Sequence, residues 1–421
     1  MTRVTPIQGV QLIFRTSTAL LTLCFLFGCT TTGSSEESLR SRIKSYQSQI
    51  IDDEVTGSNL VIVGAADGTR AMSVVNSGRP GDRDVDETTV FPIWSMSKPV
   101  TIVAMMMLHE QGKFEMDDHV SAYLPCFESL AVQDGDSVRP ATQPLTIEHL
   151  MSHRSGWGYY SGWEDGAPNT NSVINPVPPG YDRPHPNQTR FNDLQDYCEA
   201  VAQEPLAFEP GSDFMYGLNQ AILGRLIEVM TGLPLEDYLS QNLFGPLNMV
   251  DTSFVMDEQK RARFQPLWIN SENLKGYTFL LNELTYSPKS SAHFGDGGLV
   301  STAADYANFC QMLANGGEFQ GKRTLTQASI DQMTTPLSID IMAEMERPAG
   351  MDMGYSVFVM RDPASEGNAA PQGIFGWSGY HNTHFWIDPS NQMYVLWMSR
   401  AREFSFEIPA GLRKVVYGPA E

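Results

Sequence analysis

The chain has 421 residues, 42% of them hydrophobic, and a formal net charge of −21. That length and apolar content exclude a disordered chain and supply the core for one large domain or two closely associated ones. The acidity, with no basic run to offset it, excludes nucleic acid and anionic membrane surfaces as partners.

Arg3 and Arg15 flank the start of an apolar stretch that ends at Cys29, the layout of an export signal. Leu26-Phe27-Gly28-Cys29 resembles the bacterial lipobox, in which the cysteine becomes an acylated N-terminus. The resemblance implies a lipoprotein signal peptide over 1–28 and a lipid anchor at Cys29. It also implies a periplasm-facing membrane lipoprotein, of the outer membrane of a Gram-negative bacterium; an uncleaved membrane anchor is the alternative. The next residues, 29–40, read as a polar tether.

A helix is expected near Leu39–Ile50, then two short strands around a turn at Asp67-Gly68. Val100 to Leu108 is apolar nearly all round, which predicts a buried helix. Thr146–His153 predicts another, ending near Gly156. Residues 157–190, rich in Gly, Pro, Asn and Asp, predict a long irregular loop, a frequent place for function. Ile222, Leu223, Leu226, Ile227 and Met230 recur at helical spacing and stop at Gly232. The C-terminal third is β-rich, with turns at Asp362-Pro363 and at Asp388 to Asn391, and predicts an antiparallel meander. With the two early strands it forms one sheet. Cys126, Cys198 and Cys310 lie beyond the signal; one pair can bridge in an oxidising compartment, but three free thiols are favoured.

The chemistry concentrates in "FPIWSMSKPVTIVAMMMLHEQGKF", where Ser95 and Lys98 stand at the start of the apolar helix. Residues three apart share one helix face. A serine at a helix N-terminus sits among backbone N–H donors that can hold an oxyanion, and a lysine one turn on can take its proton. The same spacing at Ser41 and Lys44 has no such setting.

This segment resembles the first active-site block of the serine β-lactamase and penicillin-binding-protein superfamily. "LTIEHLMSHRSGW", "FEPGSDFMYGLNQAILGRLIEVMTG", "FGDGGLVSTAADYANFCQMLANGGEFQGKRTL" and "FGWSGYHNTHFWIDP" resemble its later blocks, in the family order, over roughly 55–400. The resemblance implies an α+β fold of the β-lactamase/transpeptidase type. Its antiparallel sheet is flanked by helices (about 41–115 and 290–421), with a mainly helical part at about 116–289. It implies that Ser95 is the acylated nucleophile, Lys98 its proton partner and Tyr216 the tyrosine that joins Lys98. Trp377-Ser378-Gly379 takes the place of the K-T-G strand, and the N–H groups of Ser95 and Tyr380 would form the oxyanion hole. Neither a metal nor an organic cofactor is implied.

Two positions depart from the antibiotic-binding members. Leu218 replaces the asparagine of Y-x-N, with Asn219 one residue late, and Trp377 replaces the K-T-G lysine. A tryptophan offers an apolar face and one N–H instead of a positive charge. Both changes resemble the esterase branch, the family VIII carboxylesterases and acyltransferase relatives. The expected substrate is therefore a small or medium uncharged acyl ester. A β-lactam or D-alanyl peptide is the alternative, and a non-catalytic cell-wall sensor the third reading.

Trp157, Tyr159, Tyr160 and Trp163 are candidates for an acyl-pocket wall, and Asn219 and His381 for the cleft. His149 and His153 are four apart, but Glu148 lies outside the pair, so a metal motif fails and local hydrogen bonding is expected for His153. Gly295, Gly297 and Gly298 are read as tight turns near the cleft rather than a phosphate loop. There is no G-x-S-x-G elbow, P-loop or dinucleotide fingerprint.

Overall fold

A computed structural model describes residues 32–158, 163–164, 167–168, 191–271, 274–279, 293–337 and 350–420, with backbone alone at 32–37, 163–164 and 167–168. Cys29, Tyr159, Tyr160 and the side chain of Trp163 lie outside the described residues.

The β-rich runs at the two ends of the chain do form one sheet. Its seven antiparallel strands lie in the order Met351–Met353, Phe358–Met360, Phe375–Gly379, Thr383–Asp388, Met393–Met398, Asn59–Ala65 and Arg70–Val75. The first strand of the chain thus pairs with the last, Val61 opposite Trp397. Alternation sends successive side chains to opposite faces. Phe385 meets Tyr306 of the Ala303–Ala314 helix, with ring centroids 5.2 Å apart. Trp386, its neighbour, turns the other way and donates from Nε1 to the Tyr417 hydroxyl at 3.0 Å, on the Glu407–Tyr417 helix. The Thr32–Asp52 helix packs against that last helix.

The apolar run is the Ser97–Glu110 helix, buried from Ser97 through Met106 and again at Leu108. Each fully buried Val, Ile, Leu or Met there contributes roughly 1.5–3 kcal/mol. It packs against the Asn219–Thr231 helix, which ends where expected, at Gly232 with φ +73°. Ile147–Met151 and Leu194–Val201 pack on that second helix from other sides. Cys126, Cys198 and Cys310 are free thiols, and burial pushes the Cys198 and Cys310 thiols well up.

Two expected boundaries move. The tether over 29–40 is helical from Thr32, because a helix nucleated further along extends through Ser and Glu residues at little cost. The mainly helical part stops well before 289. The hairpin Leu267–Ser271 with Leu274–Thr278 joins the sheet region, where Trp268 N donates to Arg400 O at 2.9 Å and Arg402 N to Trp268 O at 2.8 Å.

Candidate active site

A two-stranded ribbon, Val90–Pro92 with Val300–Thr302, delivers the chain into the tight turn Trp94–Met96 and then into the Ser97–Glu110 helix. Trp94 has φ +48°, a left-handed conformation that costs a non-glycine residue about 1–2 kcal/mol. Ser95 follows immediately and is half-buried. The turn is fixed from behind: Tyr306 OH donates to Met96 O at 2.9 Å, and Leu299 N donates to Ser97 Oγ at 3.2 Å.

Lys98 is fully buried. Its Nζ donates to Ser95 Oγ at 3.2 Å and to the Asp296 carbonyl at 2.7 Å, and lies 4.7 Å from the centre of the Tyr216 ring. One amine therefore touches the serine, the Gly295–Gly298 turn and the tyrosine. The glycine at 295 is needed because a Cβ there would lie 2.6 Å from Thr101 Oγ1 and 2.8 Å from Gln220 O. That turn serves Lys98 through a backbone carbonyl.

Tyr216 is held by two aromatic neighbours. On one side the Trp377 indole donates from Nε1 to the Tyr216 hydroxyl oxygen at 3.2 Å, with rings 5.6 Å apart. On the other side His153 lies 4.8 Å away, ring to ring. His153 Nδ1 accepts from Gly217 N at 3.3 Å, so that nitrogen carries no proton; Asn219 Nδ2 lies 3.0 Å from the same atom. His153 Nε2 lies 3.2 Å from Gln220 Nε2 and 3.3 Å from Ser356 Oγ, which itself donates to Met151 O at 3.2 Å. Burial, with the Lys98 charge second, holds the imidazole well below its ordinary pKa, so it is the neutral form. Gly217 is also packed backbone to backbone: a Cβ would lie 2.6 Å from Gly158 Cα and Trp157 O.

The strand Phe375–Gly379 closes the site. Trp377 faces Tyr216, and Ser378 faces the opposite side of the sheet, where its Oγ pairs with His384 Nδ1 at 2.7 Å. The strand packs against the Trp94–Met96 turn. A Cβ on Gly379 would fall on the Ile93 carbonyl oxygen, well inside van der Waals contact, so glycine lets the backbone leading to Tyr380 approach the Ser95 turn.

Several expected pocket residues are placed elsewhere. Trp157 is fully buried core, its Nε1 donating to Glu204 O at 3.1 Å and its ring 5.6 Å from Phe127. Asn219 is fully buried beneath Tyr216, bonded to His153, because it opens a helix whose first turn faces inward. His381 is 2% exposed and accepts from Trp94 Nε1 at 3.0 Å. His149 caps its own helix, its Nδ1 accepting from Thr146 N at 3.2 Å.

The Beta-lactamase family model matches residues 52–414. The chain belongs to this family. Protein Rv1367c of Mycobacterium tuberculosis is 30% identical over 341 residues, covering 77% of this chain and 79% of its own. Esterase EstB of Burkholderia gladioli is 27% identical, covering 80% and 85%. Among solved structures, EstCE1, described as a hydrolase with promiscuous acyltransferase activity, superposes with a TM-score of 0.77 at 23% identity, covering 91% of this chain and all of that one. This beta-lactamase-family chain is thus a serine hydrolase of the expected fold, and its Ser95, Lys98 and Tyr216 stand in one connected cluster.

Proposed function

We propose that the protein is a carboxylesterase that cleaves small or medium uncharged acyl esters through an acyl-enzyme on Ser95. The observation that carries the choice of substrate is Trp377. Where the antibiotic-binding relatives place a lysine for a substrate carboxylate, this chain places an indole, nearly buried and spent on the Tyr216 oxygen. An anionic substrate meets no cation there, while an acyl chain gains apolar contact. The similarity to Esterase EstB points the same way.

In this reading Ser95 Oγ attacks the ester carbonyl and its proton passes to the Lys98–Tyr216 pair. The backbone N–H groups of Ser95 and Tyr380 hold the negative oxygen that forms. The pair then returns the proton to the departing alkoxide. Water attacks the acyl-serine, the pair taking its proton and giving it back to Ser95. The Trp377 N–H supports the Tyr216 oxygen whenever that oxygen gives up its hydrogen.

The test is turnover of p-nitrophenyl acetate and butyrate beside a chromogenic cephalosporin, with Ser95→Ala as control and intact mass to detect the acyl adduct. Efficient cephalosporin cleavage with negligible ester cleavage would assign the protein to β-lactam or D-alanyl-peptide hydrolysis instead. Failure of a fluorophosphonate to label Ser95 would leave a non-catalytic binder. Export and lipid attachment at Cys29 belong to the same proposal; palmitate incorporation that persists in Cys29→Ala would refute them.

A further inference from the structure

The carbonyl-binding end of the site is a seam between two segments far apart in the chain. One is the turn Trp94–Met96; the other is the strand Phe375–Gly379 running on into Tyr380. Gly379 packs against the Ile93 backbone there, and Thr383 Oγ1 makes a long donation to Ile93 O at 3.5 Å.

A side-chain tie crosses it. Trp94 Nε1 donates to His381 Nδ1 at 3.0 Å, the two rings meeting edge-on at 4.9 Å. The Trp94 ring also meets Tyr380 edge-on at 5.6 Å, and Tyr380 lies 5.1 Å from the His381 ring. Trp94 and His381 are 8% and 2% exposed. A buried indole N–H left without an acceptor is costly, and here the acceptor is the imidazole nitrogen, so the His381 proton resides on Nε2.

The tied residues are the immediate neighbours of the two proposed oxyanion donors. Trp94 precedes Ser95 and His381 follows Tyr380. Trp94 also carries the left-handed backbone, φ +48°, that shapes the serine turn. A strained conformation of a bulky residue persists only where its surroundings hold it. The bond to His381 holds it from across the seam.

We infer that Trp94 and His381 form a clamp that sets the spacing between the Ser95 and Tyr380 N–H groups, which makes His381 a positioning residue for the oxyanion hole. The inference rests on the acyl-enzyme reading of Ser95. It assigns the tie no contact with substrate. Its loss therefore lowers the rate of reaching the tetrahedral state and leaves ground-state binding unchanged.

The experiment compares Trp94→Phe, which keeps a ring and deletes the donor, with His381→Phe, which keeps a ring and deletes the acceptor. The double variant and His381→Asn, which restores an acceptor near the position of Nδ1, complete the set. Each is assayed for kcat and KM on p-nitrophenyl butyrate and for the rate of fluorophosphonate inactivation. Each single Phe variant is expected to lose between about tenfold and hundredfold in kcat, with KM within about twofold. The double variant should be no slower than the worse single one, His381→Asn should recover most of the rate, and phosphonate inactivation should slow in step. Multiplying losses in the double variant, a change confined to KM, or a His381→Asn enzyme as slow as His381→Phe would overturn the clamp. If His381→Phe does not fold, His381→Asn in the Trp94→Phe background decides, because with the donor gone the asparagine must change nothing. Ser95→Ala separates the two readings. Full ester turnover in Ser95→Ala would defeat the acyl-enzyme proposal itself, whereas Ser95 labelling with multiplying losses would defeat the clamp alone.

Discussion

Replacing Trp377 by Phe keeps a ring beside Tyr216, whose centroid lies 5.6 Å from that of the indole, and removes one N–H. The bond lost is the 3.2 Å donation to the Tyr216 oxygen. Between neutral partners such a bond is worth about 1 kcal/mol, but to a charged oxygen about 1.5–3 kcal/mol. If Tyr216 gives up its hydrogen in the transition state, the larger figure applies to the barrier, and each 1.36 kcal/mol is about tenfold in rate. The expected loss in kcat/KM for p-nitrophenyl butyrate is therefore about 10- to 100-fold. Measured across pH 6 to 9, the same substitution in a Tyr216→Phe background should have little further effect, because the acceptor is already gone. A Trp377→Phe enzyme within twofold of the parent would refute the reasoning. So would one whose penalty persists unchanged in the Tyr216→Phe background.

Lys98→Met should lower kcat/KM by about a thousandfold or more while leaving the melting midpoint unchanged or higher, since an apolar chain of similar length replaces a buried amine; a parallel collapse of stability would make the lysine structural. Gly379→Ala places a Cβ on the Ile93 carbonyl, backbone that cannot swing aside, and should cost about 1–3 kcal/mol in stability and a large part of kcat; normal kcat with normal stability would contradict the close approach. Burial, with the Arg413 charge second, pushes the His384 imidazole down to about 3, below its ordinary 6.5. The unfolded chain then binds the extra proton first, so stability is full above about pH 6.5 and is lost as pH falls toward 3, by up to roughly 1.4 kcal/mol per unit. Urea unfolding at pH 7 and pH 5 should show this loss, reduced in His384→Gln; equal slopes for both proteins would rule out His384 as the source.

Much of the site was legible because its parts are local or carry strong residue chemistry. Ser95 and Lys98 are three residues apart where a tight turn runs into a helix, so their spacing and apolar surroundings announced the pair. The meander and the early hairpin were β-rich runs bounded by clear turn residues, and these signals announced the sheet. Tyr216 and Trp377 became visible only through the resemblance, since nothing local says that they meet. The misplacements have one physical origin. Trp157, Asn219 and His381 are polar or aromatic residues near the right segments, but their side chains satisfy buried partners at Glu204, His153 and Trp94 rather than lining a cleft. Such pairings span dozens to hundreds of residues and leave no periodic trace. Trp94 was passed over for the same reason, although a bulky residue directly before the serine was the available signal.

The sheet's order carries a consequence for biogenesis. Its earliest strand, Asn59–Ala65, has for its inner neighbour Met393–Met398, near the carboxyl end. Ser95 therefore waits, long after its own synthesis, for the segment that brings Tyr380 and His381 beside it. Nascent or truncated polypeptides lacking the final sixth should be unable to attack esters at all. Hydrolytic competence would arrive abruptly once that segment has emerged and folded, sparing the cell an active fragment at the ribosome.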